Sequence, residues 1–356
     1  SFSGRKDCWA VSSPSMFQGG ADKAAMRRLL PWISLGVILA LLCVLPFELK
    51  PYHREITIFF IINLIMVSSY RLITTTGDWS FSHVVLMGAG AYGAALIAKH
   101  SGLPFIVVVP MAGICAAVVG LMFITPLLRV AGFGFFIASY ALGELVRLLW
   151  LKLQFPFGGT RGIINIPSPE LFGLRLSPSI NYYFTCLIVM LIAMFIMYRL
   201  DKSRIGNAWK SIHSDPTLAE CVGISVDRYR TLAFVTGAFF AGIAGSLLAY
   251  HLGAIDPRNF DLTQMTYLLI WVVVGGTVTF WGPIAGLIVI TIAFEWSRPL
   301  LEWRPMMFGA LLIFFLVFLP GGLESLWPKV GPALRQPPGA HFSRFRIWLT
   351  TFVART

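Results

Sequence analysis

Residues 104–123 read PFIVVVPMAGICAAVVGLMF. Twenty consecutive positions carry no charge. A helix rises about 1.5 Å per residue, so a run of about 20 crosses the hydrocarbon layer of a bilayer. A helix on the surface of a soluble protein would interrupt such a run with a polar stripe every turn. Residues 104–123 therefore read as a membrane span, and comparable blocks recur on both sides of it. They lie at approximately 30–47, 56–76, 81–98, 104–123, 130–150, 181–200, 229–252, 264–281, 283–298 and 305–319. The expected fold class is all-α: a polytopic integral membrane protein of about ten transmembrane helices.

Composition agrees. Of 356 residues, 57% are hydrophobic and 12% charged. Soluble domains carry about 25% charged residues. The net charge is +12, which in a soluble chain would suggest nucleic acid. No basic stripe is interleaved with exposed aromatics, so no nucleic-acid role is expected. Lys and Arg instead collect between the spans. Placing both termini inside puts 17 of the 28 on the inner side and 10 on the outer, with Arg71 within a span. This bias favours an N-in, C-in orientation. Residues 1–29 then form a polar cytoplasmic tail without secretory-leader features, expected to be disordered. Residues 30–319 form the transmembrane domain and 320–356 a cytoplasmic C-terminal tail. Two groups of five spans would have opposite orientation, as in an inverted repeat.

Several blocks are short. Such segments are expected where a helix breaks or tilts around a transport path. The clearest is the third, with Gly88, Gly90 and Gly93; the ninth opens on Gly282-Pro283. Gly88-Ala89-Gly90-Ala91-Tyr92-Gly93 also fits G-x-G-x-x-G, but no strand precedes it and it lies in an apolar span, so it is not a dinucleotide site. Small residues there suit close helix packing or a kink. Gly237, Gly242, Gly245, Gly282 and Gly286 read the same way. No G-x-x-x-x-G-K-[ST] run occurs, so the chain itself holds no ATP in a P-loop.

The inner loop 201–228 carries the most local information. Ile205, Ala208, Trp209 and Ile212 recur with helical spacing, with Lys210 and His213 on the polar side. Asp215 is placed to cap a second short helix at 216–222, Pro216 suits its first position, and Gly223 suits the left-handed residue that ends it. Ser225 and Asp227 start the next element. The pair reads either as an ordinary interfacial linker lying on the headgroups or as a docking element for a soluble partner; so short a helix is unstable alone, and its careful capping argues for a rigid shape.

Elsewhere, Glu144 and Arg147 share a helix face three residues apart. They read either as a polar contact on the path or as a structural ion pair near the outer interface. Asn63 and Ser68 are weaker polar candidates in the second span. Phe157-Gly158-Gly159-Thr160-Arg161-Gly162 opens the outer loop, read either as a flexible turn or as exposed backbone N–H groups facing a carboxylate. His83 and His251 are isolated. Cys8, Cys43, Cys115, Cys186 and Cys221 lack metal-ligand spacing and are expected as unpaired thiols. No metal site, cofactor site or catalytic arrangement is visible.

The chain resembles the LivM-type permeases of branched-chain amino acid ABC importers over roughly residues 55–325. The segments that carry the likeness are GDWSFSHVVLMGAGAYGAALIA (77–98), LLRVAGFGFFIASYALGELVRLL (127–149), FGGTRGIINIP (157–167), SRIGNAWKSIHSDPTLAECVGISVDRYRTLAFVTGAFFAGIAGSLLAY (203–250) and VVVGGTVTFWGPIAG (272–286). Ser82 departs from the pattern, where such permeases usually have Gly, and the polar N-terminal tail is unusual.

The resemblance implies an importer in the bacterial inner membrane. Its partners would be a homologous LivH-type permease, two LivG/LivF-type ATPases that hold ATP and magnesium, and a periplasmic solute-binding protein. It places ATPase coupling on Gly206, Ala208, Asp215, Ala219, Glu220 and Gly223. The translocation path is expected near Gly88, Gly90, Tyr92, Glu144, Arg147, Gly158, Gly159, Gly275 and Gly276. Related permeases carry urea or short amides. A stand-alone carrier driven by an ion gradient is the other class of reading and would need a carboxylate within the membrane.

Overall fold

The computed structural model describes residues 51–130, 132–171, 174–175, 180–296, 304–318 and 322–326. The chain divides into two units, Ser1–Glu55 and Ile56–Thr356. Of the first, only residues 51–55 are described, and they open a helix. The expected span 30–47, the tail 1–29 and residues 327–356 lie outside the described residues.

The apolar blocks become α1 (Pro51–Thr74), α2 (His83–Ser101), α3 (Phe105–Leu127), α4 (Phe133–Lys152) and α5 (Ile180–Asp201). The inner loop forms α6 (Arg204–Ser214) and α7 (Pro216–Cys221). The remainder forms α8 (Val226–Leu252), α9 (Leu262–Gly275), α10 (Gly282–Trp296) and α11 (Arg304–Phe318). By length and composition α1, α3, α4, α5 and α8 can each cross a membrane. Helices α9, α10 and α11 have 14, 15 and 15 residues, short of the roughly 20 a straight crossing needs.

Two expectations need correction. The block 264–281 is not one helix: α9 stops at Gly275, and residues 276–281 form a loop before α10. Nor is the glycine-rich third block broken. Helix α2 runs unbroken from His83 to Ser101, and its glycines serve packing. A Cβ added at Gly90 would strike the Gly242 backbone, and one at Gly242 would lie 2.5 Å from Ala116 Cβ. Helices α2, α3 and α8 thus pack at backbone distance through small residues, the arrangement expected where lipid supplies no hydrophobic drive between helices.

The faces turned away from this packing are apolar too. Ile106, Ile114, Val118 and Met122 of α3 and Ile188, Ile192 and Phe195 of α5 are all exposed. A soluble protein rarely exposes so much contiguous apolar surface, and a bilayer covers it.

The connections sort into two ends. At one, residues 155–166 meet the segment after α8. β1 (Ile163–Ile164) pairs antiparallel with β4 (Ala254–Ile255), and β2 (Glu170–Leu171) with β3 (Leu174–Arg175). These two-residue strands are the departure from an all-helical chain. At the other end lie residues 76–79, Gly132, the α6–α7 hairpin and the 276–281 loop. The turn Leu323–Leu326 also packs there against α9 and α10. Those residues of the expected C-terminal tail are therefore part of the fold.

Candidate functional site

The hairpin α6–α7 is a small folded body. Ser203 Oγ accepts from the N–H groups of Ile205 and Gly206 at the start of α6. Asp215 Oδ1 accepts from the N–H groups of Thr217 and Leu218, at 2.8 and 3.1 Å. Asp215 is thus the expected cap. Gly223 has φ +87°, as expected for the residue that ends α7. Ile212, Ala219 and Val226 form a core of their own, with Ile224 and Tyr229 packed on it. Trp209 is fully buried and donates from Nε1 to the Tyr229 carbonyl, 2.9 Å. The hairpin is thereby fastened to the base of α8. Ser225 opens α8 but makes no side-chain cap bond.

The six residues expected to couple therefore divide. Gly206, Ala208 and Ala219 are buried within the hairpin. Gly206 must be small, because a Cβ there would strike the backbone of Leu200 and Asp201. Asp215 and Gly223 set its shape. Glu220 and Gly223 are the two that are exposed. Beside them two large apolar side chains project from the hairpin: Leu218 is 65% and Val222 81% exposed. Sequence reasoning passed over both, because each reads as an ordinary apolar residue of a short helix.

Between hairpin and membrane helices lies a cavity of about 770 Å³. Its walls include Trp79, Phe133, Phe136, Leu269 and Val273, with Ile212, His213 and Pro216 of the hairpin facing them. Asp78 and Arg230 form a two-pronged ion pair in its wall, with Arg230 Nε 2.7 Å from Asp78 Oδ2. Thr76 Oγ1 donates to the same carboxylate, 3.1 Å, and the guanidinium lies 5.8 Å from the Phe135 ring.

A second ion pair is buried nearby. Arg71 Nη1 donates to Asp201 Oδ1 at 3.0 Å, and both side chains are sealed from solvent. None of Arg71, Asp78, Asp201 and Arg230 was marked by sequence motif. The available signal was a charge at the end of an apolar block, where burial without a partner costs several kcal/mol.

The residues expected on the path fall in separate places. Gly88 lies against Trp150 and Phe260, 2.8 and 2.9 Å from a Cβ built on it. Tyr92 is buried with Trp150 at 4.8 Å and Phe157 at 5.6 Å, and its hydroxyl has no hydrogen-bond partner among the described residues. Gly158 and Gly159 form a tight turn. Both take positive φ, and Gly162 lies so near the Ile255 carbonyl that no side chain fits. Gly275 packs against Gly282, and Gly276 (φ +94°) turns the chain at the opposite end. Asn63 is half-buried, Ser68 is buried, and Cys115, Cys186 and Cys221 are unpaired.

Glu144 and Arg147 form a salt bridge, Nε to Oε2 at 2.9 Å, on a face of α4 otherwise exposing Ile137, Leu145, Leu148 and Leu149. Losing one partner strands the other charge on an apolar face. We expect Glu144→Leu alone to lower the unfolding temperature in detergent more than Glu144→Leu with Arg147→Leu. A double variant no better than the single one would show that the pair does more than neutralise itself.

The family model described as branched-chain amino acid transport system / permease component matches residues 53–318. The chain belongs to that family. The LivM permease protein of the high-affinity branched-chain amino acid transport system of Escherichia coli (strain K12) is 28% identical over 360 residues, covering 94% of this chain and 83% of its own. The Salmonella typhimurium counterpart is 27% identical over 353 residues, covering 92% and 82%. The E. coli LivH permease protein is 33% identical over 141 residues, 39% of this chain and 44% of its own. No solved structure matches the chain. In this permease the family match runs from α1 through α11 and includes the hairpin and both buried ion pairs.

Proposed function

We propose that this permease is one half of the membrane channel of an ATP-driven importer for branched-chain amino acids. It pairs with a second, LivH-type permease in the bacterial inner membrane. Two ATPase subunits, carrying ATP and magnesium, bind below, and a periplasmic binding protein delivers solute from above. Both termini and the α6–α7 hairpin face the cytoplasm. The relatives' names support the solute class, and the separate likeness to LivM and LivH proteins supports a two-permease channel.

The observation that carries the coupling role is the hairpin itself. It is capped, has its own core and is bonded to α8, yet exposes Leu218 and Val222. A folded body with an apolar tip can seat in a groove and transmit displacement, whereas a loose loop would absorb it. The ion-driven alternative is disfavoured. Glu144, the main acid such a carrier would use beside Glu295, is held by Arg147, and the buried acids Asp78 and Asp201 are each held by a cation.

The test is to co-purify the permease pair with its ATPases and measure ATP hydrolysis stimulated by loaded binding protein. Leu218→Asp with Val222→Asp should leave the permease folded, because neither side chain is buried. It should abolish stimulation and weaken ATPase retention. Undiminished stimulation would remove the hairpin from the coupling role. Asp215→Ala should have a milder effect, since losing such a cap costs about 1 kcal/mol.

A further inference from the structure

Arg71, at the inner end of α1, spends its donors on two segments far apart in sequence. Nη1 reaches Asp201 Oδ1 at 3.0 Å, where α5 gives way to the hairpin. Nε donates to the Thr279 carbonyl at 2.7 Å and Nη2 to the Val278 carbonyl at 3.2 Å. The guanidinium lies 5.5 Å from the centre of the Phe280 ring. Arg71 and Asp201 are 1% and 2% exposed. From the other side Lys210 of α6 reaches Asp201, with Nζ 3.2 Å from Oδ1 and 3.2 Å from the backbone carbonyl. One line of charge-assisted bonds thus runs from the hairpin, through Asp201 and Arg71, to the loop that separates α9 from α10. That loop carries exposed Val278 and Trp281 on a base held by Arg71. Helix α9, which ends in it, walls the inner cavity through Leu269 and Val273, and the hairpin walls the same cavity from the facing side.

Resting on the importer reading above, we propose that Arg71 and Asp201 are a positioning pair. It couples displacement of the α6–α7 hairpin to the 276–281 loop, and so sets the opening of the cytoplasmic end of the channel. Fork geometry is what the role needs. A guanidinium holds a carboxylate and two carbonyls at once, in fixed directions. An ammonium keeps the charge but presents a single point. Arg71 and Asp201 are also sealed from water, so the bond between them is not exchanged for solvent contacts during a stroke.

The experiment uses the complete importer in proteoliposomes, with radiolabelled leucine uptake and ATP hydrolysis measured on the same preparation. The readout is solute moved per ATP hydrolysed. Arg71→Lys is expected to retain the ATPases and hydrolyse ATP within about twofold of wild type, while transport per ATP falls about tenfold. Lys210→Ala, at a half-exposed position that folding tolerates, should lower the same ratio to a smaller extent. Uptake and hydrolysis falling together, or a ratio unchanged in both variants, would overturn the proposal. If Arg71→Lys fails to assemble, Lys210→Ala decides, and an unchanged ratio there overturns it. Absence of leucine uptake by the wild-type complex would instead strike the importer reading.

Discussion

Gly245→Ala is expected to lower the thermal unfolding midpoint of the purified permease in detergent nearly as much as Gly245→Val does. The reason is that the first carbon of any side chain already has no room. A Cβ at Gly245 strikes the Met87 carbonyl oxygen of α2 and lies 3.0 Å from the Ala91 nitrogen. Both obstacles are backbone, which no rotamer change moves aside, so α2 and α8 must separate. Overpacking typically costs about 1–3 kcal/mol, and a helix pushed apart along its length belongs at the upper end. Total stabilities of about 5–15 kcal/mol make that a large loss. Gly309 of α11 supplies the control. Nothing lies within 4 Å of a Cβ built there, and alanine is the better helix former, so Gly309→Ala should be neutral or slightly stabilising. A Gly245→Ala protein that melts with the wild type would show that α2 and α8 are not held at backbone distance.

Asp78→Ala should be comparably damaging, for a different reason. Asp78 and Arg230 join the loop after α1 to the base of α8, and their side chains are 9% and 17% exposed. Removing one member of a buried pair leaves the other desolvated and unpaired, which costs about 3–5 kcal/mol. Residual access to water from the cavity puts this pair nearer the lower figure. Removing both charges, in Asp78→Ala with Arg230→Leu, should recover a substantial part of that loss. Denaturant unfolding of the wild type, both single variants and the double variant closes a thermodynamic cycle. Additive losses would mean that the two side chains do not stabilise one another, and the wall of the inner cavity would need another explanation.

Much of the local architecture was legible. Residues 203–228 show this best, because caps and helix stops are decided by neighbours within a few positions. Asp215, Pro216 and Gly223 could be placed on α7 before any packing was known. The helices of the membrane domain were legible for a similar reason: an apolar run of sufficient length leaves the backbone no alternative to bonding within itself. The break at Gly275–Gly276 was not. Residues 264–281 are mostly apolar and carry no charge, and hydropathy does not distinguish a continuous helix from two halves folded against each other. Helix α9 ends where Gly276 takes φ +94°, and there Gly275 packs against Gly282 at the start of α10.

The candidate site divides along the same line. Its protrusion could be drawn from sequence, but the direction in which it faces could not. Gly206, Ala208 and Ala219 carry the family resemblance yet lie inside the hairpin, while Leu218 and Val222 form its surface. Gly158 and Gly159 could be read as a turn or as exposed backbone N–H groups, but the sequence did not show that Gly162 beside them meets the Ile255 carbonyl where Ile163 pairs with Ile255.

By itself the amino-acid sequence determined that this chain lives in a membrane, where most of its helices run and where the α6–α7 hairpin begins and ends. Each of these depends on composition or on residues a few positions apart. Only the tertiary structure decided which charges answer one another. Arg71 meets Asp201 across 130 residues and Asp78 meets Arg230 across 152. No periodicity or cap encodes such a pairing, because it comes into being when distant helices pack and water is excluded from between them.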